Sequence, residues 1–206
     1  MVFSYYIDRG IGLSEDCQLV RIIMLDVFSL PIRLANMPNS IRLLEVWLKW
    51  RGQNLFPVSG DIKPEMLGPT MSSVGIMKFQ DPNQLIVRMM STDAVELFGR
   101  NLQGEDWYST VPPEQRPRRV ERIQNIRNTP CGIFNVVSRF RTKQGFTVEA
   151  SSILLPAGDT ISGQISKIYS TIDILSERQF DDNIALGIAP LAEEYEFIDI
   201  GAGVPG

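Results

Sequence analysis

The sequence predicts an α+β fold: a single antiparallel sheet with helices on one face. Three observations predict it. Period-two apolar alternation runs through residues 74–90 and again through residues 134–174. Within each run, Gly-, Pro- and Asn-containing breaks are short enough to join neighbouring strands as hairpins. Between the runs, residues 92–128 switch to helical spacing, so helices are inserted between a two-stranded hairpin and a three-stranded meander.

Each element has local chemistry behind it. Residues 1–36 carry weak periodicity and read as an N-terminal extension. Val20, Ile23, Met24 and Val27 would form one face of a short helix ending before Pro31. From Pro38-Asn39-Ser40, which offers N-cap chemistry, Ile41, Leu44, Trp47 and Leu48 follow at helical spacing. Lys49 and Arg51 suit the negative end of that helix, and Gly52 can take the left-handed stop. Its apolar coverage exceeds one stripe, which predicts burial against two surfaces. Residues 37–71 are thus a flanking helix and a connector punctuated by Pro57, Gly60, Pro64, Gly68 and Pro69.

The expected core spans residues 72–175. It opens with strands at 74–80 and 85–90 turned by Asp81-Pro82-Asn83. A short helix capped by Thr92 ends at Gly99. A longer one follows Pro112-Pro113, with Val120, Ile123 and Ile126 on one side and Arg116, Arg118, Arg119, Arg122 and Arg127 along it. Those arginines read as a solvated face, with docking to an acidic partner or an anionic ligand as the sharper alternative. The meander alternates Phe134, Val136 and Phe140 on one face, with Val137 as an apolar exception. Phe146, Val148 and Ala150 come next, then Ile168, Ile172 and Ile174, after a turn at Pro156-Ala157-Gly158-Asp159. One sheet face should therefore be buried and the other wet. Residues 176–206 read as a C-terminal tail.

Composition narrows the function. The formal charge of −4 and pI near 5.0 speak against a nucleic-acid partner. No apolar run is long enough for membrane insertion: Leu19 to Leu34 is broken by Arg21, Asp26, Pro31 and Arg33. The two cysteines, Cys17 and Cys131, form no C-x-x-C pair, which fits a reducing, cytoplasmic location. The absence of histidine removes Ser-His-Asp and Cys-His catalysis, His-ligated zinc and haem, and phosphorelay through this chain. No catalytic residue, metal site or cofactor is expected.

Four motifs in series resemble a PAS-like family widespread in alphaproteobacteria. They are Leu44-x-x-Trp47-x-x-x-Arg51-Gly52, the connector from Pro57 through Asp61-Ile62 to Pro64, the run Glu96-Leu97-Phe98-Gly99-Arg100-Asn101-Leu102-Gln103-Gly104, and the closing Phe197 to Pro205. The resemblance covers residues 40–205 and implies a PAS fold: five antiparallel strands in the spatial order 2-1-5-4-3, with an N-terminal flanking helix. It also implies a sensing or regulatory role, though fold alone does not settle function.

In such a fold the ligand pocket lies between the sheet and the short helices. The inward-facing candidates are Leu97, Phe98, Phe134, Val136, Phe140, Val148, Ala150, Ile168 and Ile172. They would either fill the core or wall a cavity for a small apolar ligand. Flavin photosensors of this fold carry an Asn-Cys-Arg motif, whereas Cys131 is followed by Gly132-Ile133 and reads as a small buried residue. The expectation is a stand-alone regulatory module signalling by protein–protein contact. The helix from Ser40 to Arg51 should form a homodimer interface through Leu43, Val46, Trp47 and Trp50. A ligand-free structural adaptor and a small enzyme using the same cavity are the rival readings.

Overall fold

The computed structural model describes residues 31–142, 144–159, 162–176, 179–180, 188 and 191–206. The helix expected around Val20 to Val27 lies outside the described residues. The chain order is α1 (Pro38–Arg51), β1 (Val74–Asp81), β2 (Gln84–Met89), α2 (Thr92–Phe98), α3 (Arg116–Asn128), β3 (Cys131–Arg141), β4 (Phe146–Gly158), β5 (Ile165–Ile174), β6 (Gln179–Phe180) and β7 (Tyr195–Asp199). The sheet runs β2-β1-β5-β4-β3-β7, with the two-residue β6 paired to the start of β4. The expected 2-1-5-4-3 order is present, and a further strand extends it.

That strand corrects the reading of residues 176–206 as a tail. β7 pairs antiparallel with β3, from Cys131 opposite Asp199 to Asn135 opposite Tyr195. Without it β3 would present an open row of backbone donors and acceptors. Its own alternation is short but real: Tyr195 and Phe197 pack on one face, and Ile198 joins the core of the other.

Both sheet faces are buried, which corrects the expectation of one wet face. Ile153 and Leu155 point one way and Leu154 the other, and all three are buried. On the Leu154 side lie α2 and α3, bringing Leu97, Phe98, Ile123 and Ile126. On the opposite side lies α1, whose Leu43, Leu44, Val46, Trp47 and Trp50 meet Phe134, Ile153, Leu155 and Tyr169. β4 also runs further than expected, since Pro156 sits in the strand opposite Ile168 rather than in a turn. The Pro156 carbonyl accepts the Trp47 indole N–H at 2.7 Å.

Two caps differ from the sequence reading. Ser91, not Thr92, caps α2, its hydroxyl accepting from the Ala94 N–H at 3.1 Å. At α1 the N-cap position is Met37, whose side chain caps nothing. The cap comes from the sheet instead. Asp173, in β5, accepts from the backbone N–H groups of Asn39 at 2.8 Å and Ser40 at 2.9 Å, and from the Ser40 hydroxyl at 2.6 Å. A buried carboxylate thus meets the positive end of the helix and the free donors of its first turn.

Two substitutions report on this arrangement. Asp173→Ala should lower unfolding free energy by about 1.5–3 kcal/mol in a urea titration, because charge-assisted bonds to buried donors are lost. Trp47→Ala should cost about 3–5 kcal/mol, as expected for a fully buried indole.

Candidate functional site

α3 lies across the sheet with Arg119, Arg122, Ile123 and Ile126 buried together, the i, i+3, i+4, i+7 stripe of one helical face. Two arginines therefore sit where two aliphatic residues would ordinarily be. Between this face and the sheet is a cavity. The space open to the centre of a water-sized sphere is about 80 Å³, against roughly 10–15 Å³ for a single water.

Its walls are divided. Met77, Phe98, Ile123, Ile133, Phe140, Leu154 and Ile172 supply apolar surface. Arg119, Arg122, Asn135, Ser138, Ser151, Ser152 and Ser170 supply polar groups, and Leu191 and Ala192 close one side. Among the described residues no Asp or Glu lines it.

The arginines are positioned by specific contacts. Arg119 Nη1 donates to the Thr110 hydroxyl at 2.9 Å and the Trp107 carbonyl at 3.3 Å, and its guanidinium lies 4.8 Å from the Trp107 ring centre. Arg122 Nη1 donates to the Ala192 carbonyl at 3.1 Å and reaches Asn135 Oδ1 at 3.5 Å, with its guanidinium 3.5 Å from the Tyr195 ring centre. Asn135 in turn donates to the Ser152 hydroxyl at 2.9 Å. Burial, and then the neighbouring Arg122 charge, push the Arg119 guanidinium down to about 9. Arg122 is lowered chiefly by burial. Both stay cationic at neutral pH, in a place where charge is costly.

A β-bulge shapes the sheet side. Val136 and Val137 together oppose the single residue Ser151, between the pairs Asn135–Ser152 and Ser138–Ala150. Ser151 donates its hydroxyl to the Val136 carbonyl at 2.5 Å, and the Val136 N–H donates to the Glu194 carbonyl at 3.0 Å. Ile133 and Asn135 face the cavity before the bulge; Ser138 and Phe140 face it after.

The sequence pattern of the PAS domain family matches residues 35–169, well over half the chain. The chain belongs to the PAS domain family. The match takes in α1 as well as the sheet through the first half of β5, and ends before the Phe197 to Pro205 segment that resembled a family ending. PAS domains are generally signalling modules. No curated protein matches the chain.

Solved structures with similarity include the Drosophila melanogaster Cycle PAS-B domain with bound ethylene glycol, at 14% identity and a TM-score of 0.40, covering 50% of this chain and 99% of that one. The light state of the Aureochrome1 LOV domain is similar at 19% identity and 0.40, covering 52% and 83%. A light-oxygen-voltage domain studied with a flavin analogue follows at 18% and 0.42, covering 55% and 84%. At these scores they add nothing to the family assignment.

Within this PAS domain the nine candidate pocket residues separate into three groups. Phe98, Phe140 and Ile172 line the cavity. Leu97, Val148, Ala150 and Ile168 share its side of the sheet but are packed into the core. Phe134 and Val136 are on the other face, against α1. The bulge is the reason: it reverses the side-chain parity of β3, so Phe140 cannot share a face with Phe134. Val137, the apolar exception in the alternation, was its trace.

The proposed dimer residues are also placed differently. Leu43, Val46 and Trp47 are fully buried and Trp50 nearly so. They are not an exposed surface: α1 is covered on one side by the sheet and on the other by the connector, whose Leu67 joins the same core and whose Met66 and Lys63 carbonyls accept from Arg42 and Trp50.

Sequence reasoning took the arginine helix first as solvated, with an acidic partner or anionic ligand as the alternative, and did not single out Arg119 and Arg122 as its buried pair. The available signal was their spacing from Ile123 and Ile126. Cys131 is fully buried, and burial, followed by the charge of Asp199, pushes its thiol up to about 12. Iodoacetamide at pH 8 should therefore leave the Cys131 peptide unmodified in the native protein and alkylate it only in urea, as read by peptide mass spectrometry.

Proposed function

We propose that the protein is a ligand-responsive regulatory module, in which a small molecule in the α3 cavity alters the docking of residues 191–199 and so changes a contact with a protein partner. The observation that carries this reading is the double role of Arg122. It lines the cavity, and it also holds the C-terminal segment through the Ala192 carbonyl and the Tyr195 ring. The same segment forms cavity wall at Leu191 and Ala192, is tied by the Leu191 N–H to Gln115 Oε1 at 2.9 Å, and then enters the sheet as β7. A molecule drawing on the Arg122 donors competes with that anchorage. The response is a shift in how tightly an edge strand is held.

This reading moves the expected signalling surface from α1, which is committed to the fold, to the β3–β7 edge. Native mass spectrometry of the protein purified from its own host should show a bound small molecule. Hydrogen exchange in residues 191–199 should differ between the loaded protein and protein stripped by refolding. Ser170→Leu, which fills the cavity from the middle of β5, should abolish the bound mass. An empty cavity with unchanged exchange would leave a ligand-free adaptor instead.

A further inference from the structure

Resting on that reading, we infer that the cavity takes a small carboxylate with a short apolar or aromatic tail. Its two ends differ in kind. The polar end is built by α3 and β3, where Arg119, Arg122 and Asn135 line the cavity, Arg122 reaches Asn135, and Asn135 passes on to Ser152 in β4. The other end, over β1 and β5, is walled by Met77 and Ile172, with Phe98 above them on α2. An inorganic anion would use only the first, and a hydrocarbon only the second. A carboxylate with a tail uses both.

The charge arrangement selects the sign of the head. Two guanidinium groups three residues apart on one helix face are both buried, and the Arg122 charge raises the cost of the Arg119 charge. An anion between them offsets both costs. A guanidinium carries five donors in a planar fork that fits two carboxylate oxygens side by side. Arg122 places Nη1 on Ala192 and Asn135 and also bonds Tyr195, which leaves part of its five-donor fork for a ligand. Ser138, on β3, supplies a further hydroxyl to this side of the cavity, and Ser170 places one at the β1/β5 end. The space of about 80 Å³ suits a ligand of several heavy atoms.

Isothermal titration of the full chain tests this with benzoate and hexanoate, their uncharged twins benzamide and hexanamide, and inorganic phosphate. The acids should bind, the amides about tenfold or more weakly by comparison, and phosphate more weakly than either acid. Arg119→Met should cost the acids about tenfold and the amides little, with Arg119→Lys recovering part of the loss. A merely structural arginine would move acid and amide binding together. Amides binding as well as acids overturns the inference and requires no variant to fold. So does failure of both acids to bind. A neutral molecule found in the host-purified protein would overturn it too, while leaving ligand sensing itself intact.

Discussion

A single carboxylate joins the helix to the sheet. Asp173 sits near the end of β5, buried, and there it collects two backbone N–H groups and a hydroxyl from the first turn of α1. A helix start buried without partners would leave orphan donors at a cost comparable to lost hydrogen bonds. Supplying them from a strand fixes where the helix begins, how it is oriented, and which sheet face it covers. The Trp47 indole bonded to the Pro156 carbonyl fixes the same helix a few turns along. With α1 held at both points, the sheet is a central layer, and its other face is left for the cavity.

That other face tolerates what the α1 face does not. Trp47, Phe134, Leu155 and Tyr169 form an apolar layer in which the Trp47 indole N–H is bonded to the Pro156 carbonyl. Across the sheet, the layer under α3 is interrupted by cations, hydroxyls and space. Protein interiors ordinarily close such gaps and keep charge at the surface. A fold stabilised so thoroughly on one side can carry a less favourable arrangement on the other. Such a division lets a small domain keep a cavity without losing its structure.

Most of the architecture was legible because it is written in local periodicities. The strands at 74–81, 84–89, 131–141 and 165–174, both central helices and the glycine stops at Gly52 and Gly99 follow from spacing and turn chemistry. What escaped were features defined by partners far away in sequence. Asp173 looks like an ordinary outward residue of an alternating strand until α1 is placed over it. The five residues of β7 carry too short a pattern to be told from a tail. Val136 and Val137 show one break in alternation, which reads equally as noise or as a bulge; being a bulge, it moved two candidate residues to the wrong face. Arg119 and Arg122 were misread through composition, since arginine is rarely buried, although their spacing placed them on the inner stripe.

The cap on α1 has a consequence for how this domain can be inherited, cut or joined to others. The segment 37–71 reads as a flank that could be exchanged for another signalling helix. Yet the helix covers Phe134, Ile153, Leu155 and Tyr169, and its first turn is completed by a residue more than a hundred positions away. A fragment beginning at residue 72 would bare a broad hydrophobic sheet surface and strip Asp173 of its Asn39 and Ser40 donors. The heritable unit is therefore helix and sheet together, and rearrangement by fusion or truncation is confined to the chain outside them.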